Sequence, residues 1–540
     1  MQLKADNHGE APLALALDIG SSSLRAIVYD RQGHAVSGLE VQQRYSLHTT
    51  QDGGAEIDPR QLLEATTAAI DHILALAGPR AEQIAAIGIS TFWHSLMAVD
   101  AHDRPLTPVY TWADTRSRNA AAQLRASLDE RAIHARTGCV FHPSYWPAKI
   151  TWLAQTQPDT WKEATLLLSF GEYLLRELFG EAACSFSMAS GTGLFDQNEL
   201  TWDQPLLDTL HLDAERLAPL CDRDAGLTGL RHAYAQRWPA LQRIPWYPAL
   251  GDGACSNIGS GCLTPERLAI MVGTSGAMRA ALPTEHIDIP WGLWCYRVDR
   301  LRFLLGGALS EGGDVVAWLA HILNITDLAT AEAHIQQAPP DGHGLTVLPF
   351  LAGERSPGWA SQARGAIIGL SLSTQTLDIF QAHLEAIAYR FGLIHDMLVA
   401  ALYASDPPSA MPTTSSAGTN AAPDTRARPS EHGSRPQNQP THEVIASGGG
   451  LVHSPAWMQI IADVLNNPVT ASAEAEASSR GAAILALQAC GVLKDLADAP
   501  AGTTETYQPD ATRHAIYRAA MERQNQLYEH LIGPLPSTKG

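Results

Sequence analysis

Residues 13–30, LALALDIGSSSLRAIVYD, decide how this chain is read. A short apolar run ends in Asp18, passes through Gly20-Ser21-Ser22-Ser23 and resumes as a second apolar run, the pattern of strand, tight turn and strand. Small hydroxylated residues after a glycine let backbone N–H groups converge on an anion, and a carboxylate at a strand end can hold a hydrated divalent ion. Together these features suit a nucleoside triphosphate with magnesium, although taken alone an ordinary hairpin with a polar turn reads the same way. A second stretch shifts the balance. Residues 268–282, LAIMVGTSGAMRAAL, repeat the apolar run, the Gly-Thr-Ser-Gly turn and the returning apolar run. Met271 stands where Asp18 would be, so only the first copy supplies a metal carboxylate.

A chain of 540 residues exceeds what one hydrophobic core usually organises, and the two turns fit one to each of two large domains. With 37 Lys+Arg against 56 Asp+Glu the formal charge is −19. Such a balance argues against nucleic acid or an anionic membrane as the main partner, so an anionic substrate has to be met by local cations. The seven cysteines, Cys139, Cys184, Cys221, Cys255, Cys262, Cys295 and Cys490, contain no C-x-x-C pair, so reduced thiols in a cytoplasmic protein are expected. The apolar run nearest the N-terminus is broken by Asp18 and is too short for a signal core or a membrane span.

Strand-like and helical stretches alternate from there on, the mark of an α/β protein. Helical periodicity over 61–77 precedes a strand at 84–90, IAAIGIS, and then TFWHSLMAVDAHDRPLTPVYTWADTRS at 91–117 gathers Trp93, His94, Trp112, Asp114 and Arg116. Indole faces suit the C–H face of a polyol, and His, Asp and Arg suit its hydroxyls; buried tryptophans ahead of a capped helix near Asp114 would account equally for the composition. Lys149, at the start of an amphipathic helix over 144–155, is expected in solvent. Asp252, between Gly251 and Gly253 at the end of an apolar strand, suits a general base that a substrate can approach closely, while an Asp-Gly turn is the commoner explanation of the tripeptide. Residues 306–319 read as a Gly-rich turn opening a helix, with Glu311 and Asp314 in its first turn, where negative charge suits the helix terminus.

Residues 348–370 form a Gly- and Pro-rich stretch carrying Glu354, Arg355, Trp359 and Arg364, the kind of long loop that is often functional. A helix is expected over 377–403. The Ser-, Thr-, Pro- and Ala-rich segment 404–441 that follows reads as a disordered insertion. A strand at 443–447 leads into Gly448-Gly449-Gly450, where a flat heterocycle could lie on bare backbone, and Ser454-Pro455 then starts a helix. Residues 478–490 make a helix of small residues able to pack closely. Neither G-x-x-x-x-G-K-[ST], nor G-x-G-x-x-G after a strand, nor H-E-x-x-H, nor G-x-S-x-G occurs, which argues against P-loop kinases, Rossmann dehydrogenases, zinc peptidases and serine hydrolases.

In order and spacing, DIGSSSLRA, HSLMAVD…TWADTRS, GDG, VGTSG, LPFLAGERSPGW…ARGAIIGL and ASGGGLVHSPAW resemble the FGGY carbohydrate kinase family. The likeness runs from about residue 13 to 493, apart from the insertion. It implies an α/β protein of two actin-like (ribonuclease H-like) domains, 1–250 and 251–540, each a mixed sheet flanked by helices, with the active site in the cleft between them. It further implies a cytoplasmic enzyme that uses ATP and Mg²⁺ on a small-molecule sugar or sugar acid, with no nucleic acid or membrane partner; homo-oligomerisation is left open.

Carried onto this sequence, the resemblance makes Asp18 the residue that organises Mg²⁺. Gly20, Ser21, Ser22 and Arg25 would line the phosphates, and Gly273, Thr274 and Ser275 would form the second phosphate loop. Gly449, Gly450 and Ser454 would surround the adenosine. Asp252 would take the proton of the acceptor hydroxyl, and Trp93, His94, Trp112 and Asp114 would contact the sugar. The His-Ser-Leu run followed by TWADTRS looks most like the gluconokinase branch, which implies gluconate as acceptor and 6-phosphogluconate as product. Trp93 stands where that branch usually has Met, and Ala308-Leu309-Ser310-Glu311 replaces an Asn-rich segment. Kinases of another polyol or a ketose, such as xylulose, ribulose or glycerol, are the alternative acceptor classes. A nucleotide-binding regulator of the same fold is the non-catalytic one.

Overall fold

The computed structural model describes residues 9–403 and 442–536. The expected insertion at 404–441 therefore lies outside the described residues. We number the principal elements in chain order. The N-terminal half gives β1 (Leu13–Ile19), β2 (Ser23–Tyr29), β3 (Ala35–Arg44), α1 (Pro59–Ala77), β4 (Ile84–Thr91), α2 (Trp146–Thr156), β5 (Leu250–Gly251) and α3 (Asp252–Gly259). Then follow β6 (Arg267–Val272), β7 (Gly276–Leu282), β8 (Trp294–Asp299), β9 (Arg302–Leu309), α4 (Gly313–Ile322) and α5 (Thr376–Tyr403). The chain continues with β10 (Glu443–Ser447), α6 (Pro455–Leu465), β11 (Val469–Ser472), α7 (Ala477–Ala489), β12 (Thr503–Tyr507) and α8 (Ala511–Leu531).

Both quoted stretches fold as antiparallel hairpins, and each seeds a mixed sheet. The first sheet runs β5-β4-β1-β2-β3 and the second β8-β9-β7-β6-β10-β11-β12. Strand β1 pairs antiparallel with β2 and parallel with β4, as β6 pairs antiparallel with β7 and parallel with β10. Strands β5 and β11 add on in parallel beyond them. The order β3-β2-β1-β4-β5 is thus repeated as β9-β7-β6-β10-β11: one topology built twice, as expected for two α/β domains. Strands buried on both faces explain why β1, with Leu13, Leu15 and Leu17 fully covered beside Ala14 and Ala16, reads as a continuous apolar run.

Helix α3, which opens at Asp252, and the late helix α7 pack on each other, and α7 lies against β1 and β4 of the first sheet. Small residues make this approach feasible. A Cβ on Gly481 would overlap the carbonyl oxygen of Cys255, one on Gly259 that of Ala477, and one on Gly88 that of Ala482. Buried Arg480 fastens the packing through its Nε to the carbonyl of Gly33 at 3.0 Å and its Nη1 to that of Gly259 at 2.7 Å.

Helix α5 is the apolar axis of the second core, buried along most of its length against α6 and the second sheet, and that role accounts for its composition. The region 306–319 differs from expectation. Residues 302–309 are strand β9, so Gly306 and Gly307 are strand glycines, packed under Trp294 and Ile394 where larger side chains would clash. Glu311 precedes α4 and is buried, with a carboxyl pushed up to about 8 by desolvation, so it is protonated at neutral pH; Asp314 alone sits in the helix's first turn.

Candidate active site

Strands β1, β4 and β5 are parallel neighbours and end at the same edge of the first sheet, where Asp18 pairs in register with Ser90 and Gly251 with Thr91. The residues that leave those strand ends, Trp93 and His94 after β4 and Asp252 after β5, are thereby gathered at the edge where β1 ends, and the charge of Asp252 reaches Asp18. The carboxyl ends of parallel strands are the usual place for a ligand in α/β sheets. Facing them across a cleft of about 180 Å³ are Met271, Ser275, Gly276, Ala277 and Arg279 of the second hairpin.

Trp93 determines the shape of this cleft. Its indole N–H donates to the carbonyl of Ser187 at 2.8 Å, and its ring lies 4.8 Å from that of Tyr296, which in turn stacks on Trp294 at 4.3 Å. A Cβ on Gly251 or Gly191 would run into the same indole, and one on Gly253 would be squeezed between it and Arg279. The glycines around Asp252 therefore make room for Trp93.

His94 has a left-handed backbone, φ 67°, and its ring Nδ1 lies 2.5 Å from the carbonyl oxygen of Gly191. A carbonyl only accepts, so Nδ1 carries the proton and Nε2 keeps its lone pair as an acceptor. Burial lowers the imidazole to about 3, which keeps it neutral. Lys149, expected in solvent, is instead fully buried beneath this turn. Its Nζ donates to the carbonyls of His94 at 2.6 Å and Thr111 at 2.8 Å, and desolvation brings its ammonium down to about 7.

Asp252 opens α3, with one carboxylate oxygen accepting the N–H of Gly253 at 2.8 Å. Burial pushes its carboxyl up, opposed by that hydrogen bond and by the Arg279 guanidinium. Arg279 is itself buried and donates to the carbonyl of Gly253 at 2.9 Å. Asp18 is pushed up to about 6, chiefly by desolvation; the neighbouring Ser90 and Arg25 pull it down, while the charges of Asp252 and Glu476 raise it further. A desolvated carboxylate in an acidic surrounding fits a hydrated divalent cation.

The remaining expected residues divide. Gly20, Ser21 and Ser22 form the turn after β1, closed by the Gly20 N–H on the Ser23 carbonyl at 2.9 Å and held by the Tyr45 hydroxyl on the Gly20 carbonyl. Arg25 pairs with Glu476 at 3.0 Å. Gly273, Thr274 and Ser275 make the second turn, against which α4 starts: the Gly313 N–H donates to the Gly273 carbonyl at 2.8 Å and the Asp314 N–H to that of Thr274 at 3.2 Å. Gly450 packs on the same backbone, near Gly273 and Gly313, while Gly449 is uncrowded. The Ser454 hydroxyl is taken up locally, accepting the Trp457 N–H at 3.2 Å as helix cap and donating to Glu332 at 2.8 Å.

Trp112 and Asp114 are not among the residues lining the cleft. Asp114 is occupied by Arg116 and by the N–H of Ala55 at 3.1 Å, and Trp112 is 41% exposed. The cleft is also lined by residues that sequence reasoning did not assign: Arg279, Trp294, Tyr296, Arg355 and Ser478. A lone arginine inside the apolar strand AMRAAL was a usable signal for Arg279. The aromatic pair on β8 gave none.

Residues 13–259 match the N-terminal domain, and residues 268–490 the C-terminal domain, of the FGGY family of carbohydrate kinases. A gluconokinase from Bacillus subtilis is 27% identical over 523 residues, 94% of each chain, and a glycerol kinase from Leptothrix cholodnii is 29% identical over 520 residues, 93% of this chain and 94% of its own. The crystal structure of ligand-bound xylulose kinase from Lactobacillus acidophilus superposes with a TM-score of 0.81 at 26% identity, over 96% of this chain and 98% of that one.

Proposed function

The chain belongs to the FGGY family of carbohydrate kinases, and from that membership we propose that it phosphorylates gluconate to 6-phosphogluconate with ATP and Mg²⁺, Asp252 acting as general base. The observation that carries this reading is the convergence of Asp18 and Asp252 at one sheet edge, opposite the second hydroxyl-rich turn. Two desolvated carboxyls, both held above the usual carboxylate range by burial, suit two tasks, one holding a metal ion and the other accepting a proton.

Asp18 would hold the ion, and the turns at 20–22 and 273–275 would hold phosphate oxygens through backbone N–H groups and hydroxyls. Bound Mg·ATP supplies the γ-phosphoryl group and the charge that neutralises it. Trp93 and Tyr296 offer apolar faces to the carbon skeleton, and His94 Nε2 accepts from a sugar hydroxyl. Asp252 takes the proton of the attacking hydroxyl. Its raised proton affinity, balanced by Arg279, brings it closer to the range in which a base works at neutral pH.

Full-length similarity to a gluconokinase supports gluconate, while a glycerol kinase and a xylulose kinase at comparable identity support the second reading, a neutral polyol or ketose. ADP release across gluconate, other sugar acids, xylulose, ribulose and glycerol, with Asp252→Asn as blank, separates them. The variant should keep its affinity for ATP and lose phosphoryl transfer by about 10²–10⁴-fold. Near-normal turnover would remove Asp252 from the mechanism, and turnover on a neutral acceptor alone would discard gluconate.

A further inference from the structure

Two cations line the cleft, Arg279 and Arg355. Arg279 is committed: it donates to the Gly253 carbonyl and offsets the charge of Asp252. Lys149, behind the His94 turn, spends its donors on two carbonyls. Arg355 differs from both. Among the described residues no carboxylate lies within ion-pairing distance of it, and its Nε is buried without a hydrogen-bond partner. An arginine beside an apolar cavity, with part of its fork unsatisfied, calls for a planar anion able to take two N–H groups at once.

The segment around Arg355 is built to hold it in place. The preceding residue, Glu354, is buried in an ion pair with Arg390 of α5 and accepts the Tyr528 hydroxyl of α8 at 2.5 Å. The following residue, Ser356, is fully buried; its N–H donates to the Ala308 carbonyl at 2.9 Å, and its hydroxyl accepts the Ala308 N–H at 3.1 Å. Trp359 closes the turn, with its indole N–H on the Gly292 carbonyl at 3.0 Å. The guanidinium is thus presented from a rigid mount to a space shared with Trp93, His94 and Tyr296. Burial is the main cause of the low basicity of His94 and His142, and the charge of Arg355 adds to it.

We propose that Arg355 binds the carboxylate of a sugar acid and sets the preference of this enzyme for an aldonate over a neutral polyol of the same length. The proposal rests on the gluconate reading and names the residue that would enforce it. Glu311, the acid nearby in sequence, is buried, protonated at neutral pH and not part of the cleft wall, so it does not oppose an anionic substrate.

The test compares gluconate with glucitol, which carries CH₂OH in place of the carboxylate, and with xylulose. In the wild type, calorimetry should find gluconate bound at least about tenfold tighter than glucitol, the scale of a charge-assisted hydrogen bond. Equal affinities overturn the proposal without any variant. Arg355→Gln should raise KM for gluconate by about 10–100-fold while kcat and KM for ATP stay within a few-fold, and Arg355→Lys should recover part of the loss. A purely structural role would lower kcat and thermal stability together and would not distinguish gluconate from glucitol. Gluconate turnover unaffected by Arg355→Gln overturns the carboxylate contact and leaves the gluconate reading standing. Wild-type turnover of xylulose with none of gluconate overturns both.

Discussion

The indole of Trp93 fills the space that a side chain at Gly251 would need, so the residue before the proposed base and the aromatic wall of the cleft are fitted to each other. Gly251→Ala should therefore displace the indole, lowering the melting temperature by an amount equivalent to about 1–3 kcal/mol and raising KM for the sugar. Trp93→Met opens the same space, so the double variant should lose less than the sum of the two single changes. Additive losses in a melting-temperature cycle would show that the two positions are not coupled.

Asp18 links the proposed metal site to pH. Its carboxyl titrates near 6 in the fold against 3.8 ordinarily, so between those values the folded chain binds the proton more tightly than the unfolded one. Stability then falls as pH rises through this window, and above it the ionised group costs the metal-free fold up to about 3 kcal/mol. Asp18→Asn should melt higher than the wild type at pH 7.5 and about equally at pH 4, while losing activity. Mg²⁺ with ADP should narrow the gap at pH 7.5 by stabilising the wild type alone. An Asp18→Asn variant that melts lower at pH 7.5 would contradict this account.

Gly481 lets the backbone of α7 lie on that of Cys255 in α3, the helix that carries Asp252. The obstacle to a methyl group there is backbone, which yields less than a side-chain tip. Gly481→Ala should lower the melting temperature markedly and reduce kcat with it, whereas Gly449→Ala, which meets nothing closer than His453, should leave the melting temperature nearly unchanged. Similar melting temperatures for the two variants would rule out the tight helix crossing.

The sequence alone determined what is local. Both hairpins, the helix start at Ser454-Pro455, the small-residue helix at 477–489 and the carboxylate after β5 follow from short-range backbone preferences and apolar periodicity, which act over a few residues. The order of the motifs along the chain carried the family. Where side chains ended up was decided by tertiary structure. Trp112 and Asp114 share one segment with Trp93 and His94, yet only the latter two line the cleft, and Asp114 is paired with Arg116 and the Ala55 N–H. Lys149 looks like a solvated lysine until two carbonyls, one of them in the left-handed His94 turn, are brought above it. Likewise, the packing of α3 on α7 was not legible locally, because close helix contact depends on glycines more than two hundred residues apart. Periodicity records which face of an element is buried, whereas a binding cleft is made where the ends of distant strands meet, and that depends on long-range strand pairing.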